Sequence, residues 1–293
     1  MIRQKTIYLM GGLGNVLFQL NYLYNLRSLG MLTKVNCTLL GNSYLTKKLL
    51  RSTDHRTLDI LLELQLLSDI DLEFDGYINI FAGALSKFLD RDVLSARYFG
   101  LTSPSINNIS ADHLFGYFHK HNSINKQFIK KVRGEILRRI DFTEFSYVRE
   151  ALNIIGNSFV VHVRGGDYAY DASFAISNDY YRKALSGQEK CYIVTNDIEF
   201  SKNLFSGIEI KYNFLNTKTA LEDFIILALS KNKILANSTF SWWAAELGNL
   251  EGTIIQKDPF FDHINSWYPD SKVTRRLIPY QSLSSSDDQQ IRM

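Results

Sequence analysis

Phe159-Val160-Val161-His162-Val163-Arg164-Gly165-Gly166-Asp167-Tyr168 starts as an apolar run and ends in a cation, two glycines and a carboxylate. A short run of this kind, closed by a breaker, reads as a strand buried on both faces, as the strands of parallel sheets are. Downstream the pattern alternates. A helix over Tyr180–Leu185 follows a Ser177-Asn178-Asp179 cap, then come a strand at Cys191–Thr195 and a helix at Ile198–Leu204. Further strands read at Ile208–Tyr212, Lys233–Ala236 and Thr253–Gln256, with a strongly apolar helix at Ala220–Leu229. Five strands separated by helices predict a parallel α/β sheet.

Working back towards the start, Thr6–Met10 reads as a strand, Gly11-Gly12-Leu13-Gly14-Asn15 as a tight loop and Val16–Leu29 as a helix. Lys34–Leu40 reads as a strand, Leu58–Leu67 as a leucine-rich helix and His113–Phe118 as a later strand. The first half is therefore α/β as well. The polar, interrupted stretch Asp141–Glu150 marks the boundary, giving domains over 1–145 and 146–282. Residues 283–293, rich in serine, aspartate and glutamine, read as a disordered tail.

Composition sets limits on function. The chain of 293 residues is 45% hydrophobic and 22% charged, with a formal charge of +3, which lacks the clustered basic excess of a nucleic-acid binder. Cys37 and Cys191 are too few for a disulfide framework or a cysteine zinc site, and they read as buried thiols of a cytoplasmic protein. No run of about 18 apolar residues exists to span a membrane. Lys126–Arg139 interleaves six cations with apolar residues at helical spacing. This leaves two readings, a helix lying peripherally at the inner membrane or a helix with one face in the core.

In a parallel α/β sheet, ligands collect where strands end and helices begin. Gly11–Asn15, His162–Tyr168 and Asn237–Trp243 all sit at such junctions. The first is neither a Walker loop nor a dinucleotide fingerprint, since no Gly-Lys-Ser/Thr follows and Leu17 takes the third glycine's place. It is either a ligand loop or a plain tight turn. Arg164, just past a buried strand, can grip phosphate oxygens in a fork or pair with Asp167. His162 is either a ligand contact or a core histidine. Ser238, Thr239 and Ser241 precede a helix read from about Trp242, where capping and phosphate binding use the same N–H groups. Trp242 and Trp243 read as core or cleft wall. Asp69-Ile70-Asp71 has the spacing of a metal-holding carboxylate pair but lies in an acidic run with Glu73 and Asp75, which favours a solvated loop and no metal.

These spellings resemble the GDP-fucose-dependent α-1,2-fucosyltransferases. Gly11-Gly12-Leu13-Gly14-Asn15-Val16-Leu17-Phe18-Gln19 is similar to that family's Gly-Gly-Leu-Gly-Asn-Gln-Leu-Phe-Gln opening. His162–Tyr168 resembles its His-x-Arg-Arg-Gly-Asp-Tyr, and Asn237–Trp243 its Asn-Ser-Ser/Thr-Phe-Ser-Trp-Trp. Val194–Glu199 resembles a weaker Phe-Ser-Asp-Asp motif, and Gly116-Tyr117-Phe118 a Gly-Tyr-aromatic element.

The resemblance implies a GT-B architecture of two Rossmann-like domains facing across a cleft, with the acceptor on the N-terminal side and the GDP-sugar on the C-terminal one. It also implies inverting transfer with no metal or other cofactor. Carried over by position, Arg164 would hold the β-phosphate, assisted by Ser238, Thr239, Phe240 and Ser241. His162, Asn196 and Asp197 would meet guanine or ribose, and Gly12, Leu13, Gly14 and Asn15 would close on the diphosphate. Asp167 is the first candidate for the base, with Glu222 and Asp223 in reserve.

The implied reaction moves L-fucose to the 2-hydroxyl of a galactose-type residue in a glycan, which by analogy is a bacterial O-antigen or other surface polysaccharide unit, free or lipid-linked. Gly165 stands where the family has a second arginine, Val16 replaces a glutamine, and Asn196 replaces the first aspartate of its pair. A different GDP-sugar or linkage, or a nucleotide-sugar binder without turnover, is the alternative these departures keep open.

Overall fold

The computed structural model describes residues 4–40, 56–73, 112–118, 124–166, 176–248, 251–258 and 272–279. The chain divides into two compact units, Met1–Glu135 and Ile136–Met293.

In the first unit, β1 (Lys5–Tyr8), β2 (Thr33–Asn36), β3 (Asp71–Glu73) and β4 (His113–Leu114) form a parallel sheet in the order β3-β2-β1-β4. Helix α1 (Leu13–Ser28) follows β1 and, apart from half-buried Asn15, is buried from Leu13 to Leu26, so its lack of a polar face reflects enclosure. Helix α2 is Arg56–Glu63 and α3 is Lys126–Ile140. The apolar face of α3 packs in the core through Phe128, Ile129, Val132 and Ile136. Asn125 precedes α3, and its side-chain oxygen accepts from the N–H groups of Gln127 and Phe128, while its amide donates to Asn25 and Ser28 of α1.

The second unit carries α4 (Ser146–Ile155), β5 (Phe159–Val163), α5 (Asn178–Ala184), β6 (Lys190–Thr195), α6 (Ile198–Phe205) and β7 (Lys211–Phe214). It continues with α7 (Ala220–Leu229), β8 (Asn232–Ile234), α8 (Thr239–Leu247), β9 (Glu251–Asp258) and β10 (Lys272–Pro279). All six strands are parallel, in the order β10-β9-β8-β5-β6-β7. Every residue of β5 is buried, as its apolar run requires. Both halves are thus parallel α/β, the fold class read from the sequence.

Several boundaries differ from those expected. The strand expected at Ile208–Tyr212 lies at Lys211–Phe214, because the alternation of apolar residues continues to Phe214 and the pairing of Lys211 with Lys190 sets the register. A sixth strand, β10, went unread because its Lys-Val-Thr-Arg-Arg-Leu-Ile-Pro has no clean period. The strand expected over His113–Phe118 is two residues long, since Gly116 and Phe118 adopt positive φ. The leucine-rich helix runs Arg56–Glu63 rather than Leu58–Leu67. Helix α8 starts at Thr239, three residues before Trp242, with Ser238 as its cap.

The stretch Asp141–Glu150 holds a 3₁₀ turn, Thr143–Phe145, and the start of α4. The tail over 283–293 lies outside the described residues. Both cysteines are buried, and burial pushes their thiols up to about 12, which makes them inert at neutral pH. Among the described residues no helix is long and apolar enough to cross a membrane.

Candidate functional site

Read from β7, the second sheet has the order 3-2-1-4-5-6 counted from β5, so the direction in which successive strands are added across the sheet reverses between β5 and β8. At such a point the loops leaving the two neighbouring strands diverge and open a crevice at their carboxyl ends. His162–Gly166 leaves β5 there, and Asn237–Ser241 leaves β8. Two of the three motifs therefore flank one switch point. The tyrosine pair of α5 fixes that rim. Tyr180 Oη donates to the carbonyl of Leu235 (2.8 Å) and Tyr181 Oη to that of His162 (3.0 Å), both beyond the β5–β8 pairing. The sequence reading gave these tyrosines no role, because a buried phenol in a helix does not announce its partner.

His162 is 5% exposed, with its Nδ1 unpartnered among the described residues and its ring 5.3 Å from Phe240. Burial, helped by the charge of Arg164, lowers its pKa to about 3, so the imidazole is neutral at physiological pH. Arg164 is half-buried on the loop. The next residues close on the β6–α6 turn: the N–H of Gly165 donates to Asn196 Oδ1 (3.0 Å) and that of Gly166 to Asp197 Oδ2 (3.4 Å). The other carboxylate oxygen of Asp197 caps α6 by accepting from Phe200 N (3.0 Å). A Cβ on Gly165 would lie 2.5 Å from Asp197 Cβ and 3.1 Å from Phe200. The absent second arginine thus coincides with a loop that has no room for any side chain.

On the β8 side, Ser238 Oγ caps α8 by accepting from Phe240 N (3.2 Å). Ser241 is fully buried, and its single O–H lies within reach of the carbonyls of Ala236 (2.8 Å) and Ser238 (3.0 Å), which share it, so it shapes the turn. Thr239 is buried, and half-buried Phe240 bridges His162 and Phe224, whose ring centroid is 5.1 Å away. Trp242 and Trp243 are enclosed in the core.

Of the carboxylates considered as a base, Asp167 lies outside the described residues. Glu222 is engaged in the capping box of α7 with Thr219. Asp223, half-buried in the first turn of α7, accepts from Thr217 Oγ1 (2.6 Å). Burial, with Glu222 adjacent, raises its pKa to about 7.

The first unit repeats the plan. The order β3-β2-β1-β4 puts a switch point between β1 and β4, flanked by Gly11–Asn15 and by Phe115–Phe118. Gln19, fully buried on α1, joins the two loops: its Oε1 accepts from Met10 N (3.0 Å) and its Nε2 donates to Gly116 O (2.9 Å). This positioning residue stood in the quoted motif without a role.

Asp69 is held by Tyr24 Oη (3.0 Å), by an ion pair with Lys131 and by Arg27 (3.6 Å). Burial would raise its carboxyl, but Lys131 outweighs that and holds it below the ordinary range. Asp71 is exposed in β3, and Asp75 lies outside the described residues. Among the described residues no group of three His, Cys, Asp or Glu gathers to hold a metal ion.

Parallel α/β sheets with glycine- and hydroxyl-bearing loops at their switch points form a class of folds whose ligands collect at the carboxyl ends of the strands. The model of glycosyl transferase family 11 matches residues 78–264, well over half of the chain and two of its three motifs. The chain belongs to that family, the α-1,2-fucosyltransferase family its motifs resemble, and it is a glycosyltransferase. Among curated proteins it is 29% identical over 112 residues to the Escherichia coli O-antigen biosynthesis glycosyltransferase WbnK, a match spanning 34% of this chain and 37% of that protein. It is 26% identical over 201 residues to an Escherichia coli alpha-1,2-colitosyltransferase, covering 63% of this chain and 67% of that one. Among solved structures, the fucosyltransferase NodZ from Bradyrhizobium is 14% identical over 85% of this chain and 93% of its own, with a TM-score of 0.43.

Proposed function

We propose that the protein transfers L-fucose from GDP-fucose to the 2-hydroxyl of a galactose-type residue in a glycan, as a cytoplasmic step in building a bacterial O-antigen or similar surface polysaccharide. The observation supporting this reading is that the loop bearing Arg164 and the N-terminus of α8 leave the two strands, β5 and β8, that flank one switch point. The acceptor oxygen attacks the anomeric carbon as the bond to the diphosphate breaks, which inverts configuration and leaves GDP. Arg164 and the first N–H groups of α8 stabilise the charge growing on the departing diphosphate, a preorganised arrangement that replaces a metal. His162, being neutral, offers a hydrogen bond rather than a charge to the nucleoside, beside Asn196 and Asp197. The acceptor proton passes to a carboxylate, with Asp167 as first choice and Asp223, held near neutrality, as second.

A second donor deserves a place in the test. The likeness to a colitosyltransferase supports colitose, carried on GDP, as the rival sugar. Purified protein incubated with a panel of GDP-sugars and lactose in EDTA is expected to fucosylate lactose, with the α-1,2 linkage read by NMR. Arg164→Ala is expected to lower kcat/KM by about 100-fold or more. Transfer only from GDP-colitose replaces the donor. Loss of activity in EDTA overturns the metal-free mechanism, and an Arg164→Ala variant as active as the parent overturns the site.

A further inference from the structure

Tyr117 lies in the loop leaving β4, at the switch point of the first sheet. Its neighbours turn inward: Phe115 is 6% and Phe118 3% exposed, while Tyr117 is 40% exposed. This display requires an unusual backbone. Gly116 has φ +148°, and Phe118, which is not a glycine, has φ +54° and is held by parallel stacking on Tyr22 at 4.3 Å. A non-glycine residue in that region costs on the order of 1–3 kcal/mol and persists only where its surroundings enforce it. Gln19 ties the same loop to Met10.

Across the crevice, Gly11 has φ +84°, and a Cβ there would lie 3.2 Å from the Tyr117 ring and 3.0 Å from Asn15 Nδ2. Beside Gly12, by contrast, a Cβ would meet nothing within 4 Å among the described residues, so this loop has room beside its second glycine. A partly exposed aromatic ring and a carboxamide that both come close to Gly11 suit a sugar ring, which presents an apolar C–H face and hydroxyl edges.

We propose that Tyr117 is the floor of a pyranose subsite in the N-terminal unit, with Asn15 addressing the sugar's hydroxyls. The inference rests on the transferase reading and adds to it the residue that seats a sugar. The ring seated belongs either to the galactose-type acceptor or to the sugar of the donor, and kinetics separate the two. Tyr117→Ala is expected to raise the KM of one of them by about ten-fold, with kcat changed less, whereas Tyr117→Trp restores it. A rise for lactose assigns the acceptor and a rise for the GDP-sugar assigns the donor's sugar. Both KM values unchanged, or a fall in kcat alone, overturns the subsite.

Saturation-transfer NMR with free lactose and free L-fucose on parent and Tyr117→Ala protein gives a readout independent of turnover. A sugar signal lost in the variant sustains the subsite even if no transfer is found, and equal signals in both proteins overturn it. A circular-dichroism melt matching the parent shows that the variant is folded.

Discussion

At Gly165 the main chain lies against Asp197, with 2.5 Å between the position of a side-chain carbon and Asp197 Cβ. Asp197 is itself fixed as the cap of α6 and by Thr195 (3.0 Å), so the neighbour cannot yield cheaply. Gly165→Ala is therefore expected to lower stability by about 1–3 kcal/mol. Gly165→Arg, which restores the family's spelling, is expected to lower stability further without tightening GDP binding, as calorimetry would show. A stable, tighter-binding Gly165→Arg variant would show that the loop is free to move.

His162 gives a second test. Its folded pKa of about 3 is depressed below the ordinary 6.5, so its contribution to stability is complete above 6.5 and is lost as pH falls from 6.5 towards 3. His162→Gln is expected to flatten the fall of Tm over that window. An unchanged slope would place the acid sensitivity elsewhere.

Among elements, the loops at the two switch points are held by different means. In the second unit the rim is pinned by phenols and caps; in the first, one amide spans both loops. Gln19→Leu leaves Met10 N–H and Gly116 C=O, both half-buried, without that partner, at about 1 kcal/mol for each group. Amide exchange is expected to quicken over residues 10–15 and 115–118 while β2 keeps its protection. Unchanged exchange in both loops would deny Gln19 its role as the tie. The basic helix α3 is a contrasting case. Phe128, Ile129, Val132 and Ile136 are buried in the core, Leu137 is exposed, and Lys131 is bound to Asp69.

For the whole molecule, two units each carry their own parallel sheet and buried residues. Thermal unfolding is therefore expected to depart from a single cooperative step, with a van't Hoff enthalpy below the calorimetric one. GDP at about 100 times its Kd is expected to stabilise the unit that binds it by about 2.7 kcal/mol. A single transition with equal enthalpies would show that the two units unfold as one.

The sequence by itself determined the local facts: the buried strand at Phe159–Val163, the helix at Ala220–Leu229, and the three loops with their cation, glycines and hydroxyls. Short-range periodicity and breakers suffice for these, because backbone geometry repeats within a few residues. Tertiary structure alone decided which loops meet. Strand order places His162–Gly166 beside Asn237–Ser241, and the exposure of Tyr117 depends on Gly11, Gln19 and Tyr22, about 95 to 105 positions away. It also decided that Ser241 faces the backbone and that Gly165 has no space beside it. Such facts arise from close packing between distant segments, whose contacts leave no periodic trace in the chain.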